Sequence, residues 1–398
     1  MAFDPEAATR AYIDGLGADA LAKSAAYTMD GHWMILWGLL VSAVATLLIV
    51  RLKVTDRVWA ALEKRGWALR TFLTGAAFFI VSAIITLPWS IWEEWGHERA
   101  YDRTQQPLAD FLMQDAIGIT IGTIGGGLFF LGIYALIRRT GQRWWLWSAG
   151  FSAVVVSVML LLSPTLIEPL FNDYQPIPDG PVREAVLDMA RQVDIPEDRI
   201  FIYDGSRQSN NFTANVSGIG SAARIAISDV ALKQASLDEV RAVTGHEIGH
   251  YVLGHVWRSV LVLSLLAIVF LFLADRLFAR FARAFGSQAS TIGDPRGLPV
   301  LIFVLSFLGT LAVPVTNSLI RIGESEADAY SLQMVNLPDA LAGALVKTAE
   351  YRYPRPAPLQ EMLFYTHPSV ERRVRTAMEW KAKHPPVPVP ATAPAANP

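Results

Sequence analysis

Hydrophobic positions in this chain gather into long runs instead of the short periods of an amphipathic globular fold. Six runs are predominantly apolar, extending approximately from Trp33 to Val50, Phe72 to Trp89, Ala116 to Ile137, Trp147 to Leu166, Ser259 to Phe278 and Leu298 to Leu319. A helix of about 20 such residues crosses a hydrocarbon core about 30 Å thick, so each run predicts a membrane span. Trp33, Trp89, Trp92, Trp95, Trp144, Trp145 and Trp257 cluster at the run ends, where amphipathic rings sit at headgroup level. Gly118, Gly122 and Gly126, four apart in the third run, predict close helix packing.

Polar sequence divides these spans. Residues 1–31 form an N-terminal segment and 32–166 carry four spans; a polar stretch at 167–257 precedes two further spans at 258–320. A second polar stretch covers 321–380, and the Pro/Ala-rich tail at 381–398 reads as disordered. The N-terminal segment is acidic (Asp4, Glu6, Asp14, Asp19, Asp30) and lacks the basic start of a signal peptide, so the first span is expected to stay attached. Within it, Ala8 to Tyr27 is expected to form an interfacial helix, being too polar to span. The first polar stretch predicts a helix at Val182–Gln192, strands at Arg199–Tyr203 and Ala223–Ser228 around a Ser/Asn-rich loop (Ser206–Asn211), and a helix from Asp238 through Val252. The fold class is therefore mainly α, with about six membrane helices and an inserted α+β domain.

Composition sharpens this picture. The 398 residues are 52% hydrophobic and 18% charged, where soluble domains carry about 25% charge. A net charge of -2 gives no electrostatic reason to expect nucleic acid as a partner. Cysteine is absent, so disulfides, thiolate metal sites and a cysteine nucleophile are excluded, and any metal must sit on His and carboxylates.

The second predicted helix of the polar stretch contains His246-Glu247-Ile248-Gly249-His250. Residues four apart share a helix face, so both imidazoles can bind one zinc, with Glu247 beside them to take a proton from a water the metal polarises. A catalytic zinc needs a third protein ligand. His255 lies nine residues after His246, about 180° round a continuous helix, and is rejected. Glu324 is assigned instead, from Glu324-Ser325-Glu326-Ala327-Asp328 just beyond the sixth span. Glu326 points off that face, whereas Asp328 shares it and is placed to accept the ring N–H of a ligating His. With about eight helical residues, roughly 12 Å, between His250 and the fifth span, cleavage is expected close to the membrane. The competing class is a zinc-stabilised membrane scaffold or transporter, for which Glu247 would have no use.

Together these segments resemble the type I CAAX prenyl proteases, integral-membrane zinc metallopeptidases of the gluzincin type with HExxH followed by ExxxD. Leu87-Pro88-Trp89-Ser90, Pro169-Leu170-Phe171-Asn172 with Pro176, and His367-Pro368-Ser369 with Glu371-Arg372 look like family motifs in the family's order, so the resemblance covers roughly Leu87 to Arg373. It implies one Zn2+ per chain, membrane helices closed around a water-filled chamber, and peptide or protein substrates, lipidated or not, in contact with the bilayer. It also implies that His367 donates to the tetrahedral intermediate with Arg372 in support, and that Thr213, Ala214, Asn215 and Val216 belong to an edge strand against which substrate lies extended. Thr213 stands where the family usually has Asn. Asn211-Phe212-Thr213 spells a glycosylation acceptor, a reading its place beside this strand disfavours. Eukaryotic relatives carry seven spans; nothing long and apolar precedes Trp33, so the first is expected to be missing.

Charge argues the orientation. Arg51, Lys53, Arg57, Lys64, Arg65 and Arg70, then Arg138, Arg139 and Arg143, then Arg276, Arg280, Arg283 and Arg296 fall on one side, against Arg10, Lys23, Arg99 and Arg103 on the other. The positive-inside rule puts the first set in the cytoplasm and the catalytic segments outside, in a periplasm if the membrane is a bacterial inner one. That is opposite to the cytosol-facing site of the eukaryotic relatives. It favours clearance of membrane-associated polypeptides over processing of prenylated tails.

Overall fold

A computed structural model describes residues 3–218 and 223–385; most of the predicted disordered tail lies outside the described residues. The chain begins with α1 (Pro5–Asp14), α2 (Ala18–Arg51), α3 (Val54–Ala61) and α4 (Trp67–Ser90), followed by a wider π turn and the single turn α5 (Glu98–Ala100). Next come α6 (Leu108–Thr140) and α7 (Trp144–Leu162). The first polar stretch folds as β1 (Tyr174–Pro176), α8 (Pro181–Arg191), β2 (Ile200–Tyr203), β3 (Ala214–Ser217), β4 (Arg224–Ser228), α9 (Asp229–Gln234) and α10 (Leu237–Val252). Then follow α11 (His255–Phe285), α12 (Leu298–Val335), α13 (Pro338–Lys347), α14 (Pro358–Phe364) and α15 (Val370–Lys383).

The six apolar runs lie in α2, α4, α6, α7, α11 and α12. Five stretches among the described residues are long and apolar enough to cross a membrane; one, Leu108–Leu170, contains two runs, separated at Gly141 where φ is +54°. One buried cluster joins these helices, including Val50, Phe78, Ile133, Tyr134, Phe278 and Leu301. Its members fall in the helix halves next to the basic loops. Toward the other end, apolar side chains such as Ile84, Met113, Val154, Leu265 and Leu311 are exposed. The buried cluster between the helices thus sits at the basic-loop end.

Close packing does occur in the third run, at one of the three expected glycines, Gly126, and at its neighbour Gly127. A Cβ on Gly126 or Gly127 would lie 2.7 or 2.8 Å from the ring of Phe79 or Phe72 on α4, while Gly118 and Gly122 have nothing within 4 Å. The four-residue spacing marked the correct helix; the stripe that meets α4 sits lower on it.

The three basic loops converge at the end that holds the buried cluster. Thr55 Oγ1 donates to the Arg296 carbonyl at 2.9 Å, Arg138 stacks 4.2 Å over the Trp67 ring, and Trp144 donates to Asp275 at 3.1 Å. At the opposite end the connection between α5 and α6 grips the catalytic segment. The Asn210 amide donates to the Arg103 carbonyl at 2.8 Å, and Arg207 pairs with Asp110 at 2.5 Å.

The sheet has the order β1-β2-β4-β3, with β2 and β4 parallel and both outer strands antiparallel. Its core, with Val186, Ile200, Ile225, Ile227 and Ile248, packs against α8 and α10. The predicted interfacial helix is instead broken at Gly17, whose φ of +83° L side chains rarely adopt, and α1 joins the catalytic domain. Its Ile13 is fully buried with Leu341, Leu345, Val374 and Met378 of α13 and α15. Likewise Glu324 needs no separate helix, since α12 runs unbroken from the sixth span through Val335.

Candidate active site

Two helices build the site, and glycine lets them meet. Gly245 and Gly249 flank His246 four residues apart on α10, on the face turned to α12. A Cβ on Gly249 would stand 3.0 Å from Tyr330 Cβ and 3.2 Å from Ala327 Cα; on Gly245 it would meet the Ser331 hydroxyl at 3.1 Å. Backbone cannot yield as a hydroxyl can. Gly249→Ala is therefore expected to cost about 1–3 kcal/mol of stability by overpacking, and Gly245→Ala less, as thermal unfolding in detergent will measure. The start of α10 is secured by Ser236 and Glu239, which form a reciprocal capping box.

This approach brings His246, His250 and Glu324 together, with one ligand-type atom from each within 4.8 Å of the others. The His250 and His246 Nε2 atoms are 3.1 Å apart, and Glu324 oxygens lie 3.3 Å and 3.4 Å from them. Asp328 holds His246, with its Oδ1 2.9 Å from Nδ1. An ionised carboxylate only accepts, so Nδ1 donates and Nε2 presents its lone pair to the cluster.

His250 is held in the same way by the residue rejected as a ligand. The left-handed Gly254 (φ +65°) ends α10, and α11 starts afresh at His255. His255 would lie 180° from His246 only on one continuous helix, and the chain turns between them. The turn brings His255 Nδ1 to 2.8 Å from His250 Nδ1, and its Nε2 to 3.0 Å from Glu326. The Nδ1–Nδ1 hydrogen bond to His255 fixes the orientation of the His250 ring. The two ligand imidazoles meet Nε2 to Nε2 at 3.1 Å with the Glu324 carboxylate beside them, a set of donors that a shared cation brings together favourably. Glu324 Oε2, buried and without a hydrogen bond among the described residues, belongs to this set. Two imidazoles and one carboxylate on fixed supports fit zinc.

Glu247 borders the same cavity, and burial raises its carboxyl above the ordinary range. His367 Nε2 lies 3.1 Å from Glu324 Oε2. Burial, with Arg352 adding to it, lowers the His367 pKa to about 3, so its ring is neutral near pH 7. Phe212, Thr213 and Ala214 line the opposite wall; Asn215 pairs with Ala226 within the sheet, and Val216 with Ile225.

Arg372 is not among these residues. It is exposed and pairs with Glu361 at 3.2 Å, whereas its neighbour Arg373 is buried and grips both Asp328 oxygens at 2.7 Å. A sequence signal for this existed: Val370, Val374 and Ala377 mark the buried stripe of α15, and position 373 lies on it. Arg373→Gln is expected to cost about 3–5 kcal/mol by leaving a buried carboxylate unpaired, and Arg372→Gln less than about 1 kcal/mol; thermal unfolding of the two variants checks this.

Comparison with known proteins gives the family and the fold. Residues 176–381 match the model of Peptidase family M48, and residues 7–173 match the model described as CAAX prenyl protease N-terminal, five membrane helices. A Bacillus subtilis protein described as an uncharacterized metalloprotease is 27% identical, covering 87% of this chain and 80% of its own. The Arabidopsis thaliana CAAX prenyl protease 1 homolog is 28% identical, covering 77% of this chain and 72% of its own, and the human one 25% over 92% and 87%. The crystal structure of S. mikatae Ste24p superposes with a TM-score of 0.74 at 20% identity, over 92% of this chain and 90% of that one, a likeness of fold.

Proposed function

Because this chain belongs to Peptidase family M48, we propose that it is a zinc-dependent membrane endopeptidase of the CAAX prenyl protease type, acting on prenylated C-terminal tails or membrane-associated polypeptides. The observation that carries this reading is the convergence of His246, His250 and Glu324 on one point with Glu247 beside it. His246 and His250, through Nε2, and the Glu324 carboxylate would hold the zinc, which when bound supplies a Lewis acid that polarises a water and the scissile carbonyl.

The remaining chemistry belongs to the chain. Glu247, made more basic by burial, takes a proton from the attacking water and returns it to the leaving amine. Neutral His367 donates from Nε2 to the charge developing on the scissile oxygen. Asp328 keeps the His246 ring in one tautomer, and His255 orients the His250 ring. Substrate lies extended along β3, the outermost strand of the sheet among the described residues. The Ser228 amide donates to the Thr213 carbonyl. Antiparallel alternation then turns the backbone groups of Ala214 and Val216 outward, toward an added strand.

A second reading of the substrate rests on the convergence of the basic loops at the end away from the site. If that end is cytoplasmic, the catalytic end faces the periplasm of a bacterial inner membrane, and misfolded membrane polypeptides replace prenylated tails. The test is cleavage by the reconstituted zinc protein of a farnesylated peptide, its unmodified twin and an unfolded membrane protein. A strong preference for the farnesylated peptide supports the first substrate class; equal cleavage of the twins, with digestion of the unfolded protein, supports the second. Hydrolysis of none of them, under zinc, overturns the peptidase reading.

A further inference from the structure

Arg352 stands apart from every other arginine around the site. Arg373 is paired with Asp328, Arg103 with Glu350 and Asn211, Arg355 with Glu371 and Asp14, and Arg321 with the carbonyls of Glu361 and Tyr365. Among the described residues the Arg352 guanidinium has no ion pair or hydrogen bond, and it lies 5.4 Å over the Tyr351 ring. Burial works against its charge. A cation held partly out of water without an anion is costly, and nothing in the local packing offsets that cost.

Its position says what would. Arg352, Tyr351 and His367 border two adjoining cavities at once. One holds His246, Glu247 and the start of β3. The other lies between Tyr27, Thr28 and His32 of α2 and Phe364 of α14, and among the described residues Arg352 is the only Lys or Arg on its wall. The loop carrying Arg352 is fixed there, since the Tyr353 amide donates to Thr28 Oγ1 at 2.9 Å. Around the catalytic cluster, Asp328 is matched by Arg373, and Glu247 with Glu324 match the two charges of the dication proposed above. Arg352 is the charge left over.

We infer that Arg352 binds the free C-terminal α-carboxylate of the peptide substrate, with the residues leaving after cleavage seated in the cavity beside α2. The inference rests on the peptidase reading. A guanidinium fork matches a carboxylate in two parallel hydrogen bonds, and a cavity with a single cation suits a short tail ending in one anion.

The test uses full-length, zinc-loaded protein and three peptides: one with a free C-terminus, its C-terminal amide, and an amide whose last residue is Glu. The wild type is expected to prefer the acid over the amide by about 10–100-fold in kcat/KM, mainly through KM, the scale of a charged hydrogen-bonded pair. Arg352→Gln brings that ratio close to one, and Arg352→Lys keeps part of it. Binding to the Glu247→Gln variant, with and without Arg352→Gln, repeats the comparison without turnover. It decides the role of Arg352 even if no peptide is cleaved, a result that would sink only the peptidase reading. Equal treatment of acid and amide by the wild type overturns the inference, as does an equal loss on both peptides in Arg352→Gln. The terminal-Glu amide performing as well as the acid overturns the assignment to the α-carboxylate.

Discussion

Replacing Glu247 by Gln is expected to lower kcat for peptide hydrolysis by about 10²–10⁴-fold, the contribution of a positioned general base, with metal content unchanged. Glutamine matches glutamate in shape but cannot accept the proton of the attacking water or pass it to the amine. Glu247 takes no part in binding the other side chains: the ligand set is His246, His250 and Glu324, and Asp328 and His255 hold the rings. The variant should therefore bind zinc and substrate, with KM close to the wild-type value. Steady-state kinetics together with metal analysis read both quantities. A Glu247→Gln protein that hydrolyses peptide at the wild-type rate would remove the base from the mechanism and restore the scaffold as the better account.

The second large effect concerns Glu324. Glu324→Ala removes the carboxylate whose Oε2 is buried without a hydrogen bond, leaving two imidazoles from one helical turn to hold the metal. Affinity is expected to fall by more than about 100-fold, since losing an outer partner of a ligand already costs about 10–100-fold. Asp328→Asn supplies that smaller reference, because it weakens the hold on His246 while leaving the ligand set whole. Zinc competition with a chromophoric chelator orders the three proteins as wild type, Asp328→Asn, Glu324→Ala. Affinity in Glu324→Ala equal to that of the wild type would exclude Glu324 as a ligand.

Much of this was legible in the chain because two periodicities are robust. Apolar runs of membrane length gave the six helices, and the four-residue spacing of His246 with His250, and of Glu324 with Asp328, set each pair on one face. What the sequence concealed lies where the backbone departs from regularity. Gly254 turns the chain between two helices, which is why His255 was placed opposite the site and is in fact the partner of His250. Gly17 similarly divides what read as one interfacial segment. Arg372 and Arg373 differ by 100° of helix, and only the stripe of Val370, Val374 and Ala377 separates them. Gly245 and Gly249 were visible inside and beside the metal motif, but their role depends on α12, some 80 residues away in the sequence, pressing against that face. The unpaired state of Arg352 had no sequence signal, because it depends on which carboxylates the fold has already assigned to other cations.

The central claim is that two imidazoles and one distant carboxylate hold a single zinc. X-ray absorption at the zinc edge on the purified protein tests it most directly, with Glu324→Ala as the paired sample. The account predicts one zinc per chain in a shell of nitrogen and oxygen at about 2.0–2.2 Å with two imidazoles, and loss of that shell's occupancy in Glu324→Ala. A shell without imidazole, or one unchanged by Glu324→Ala, would contradict it.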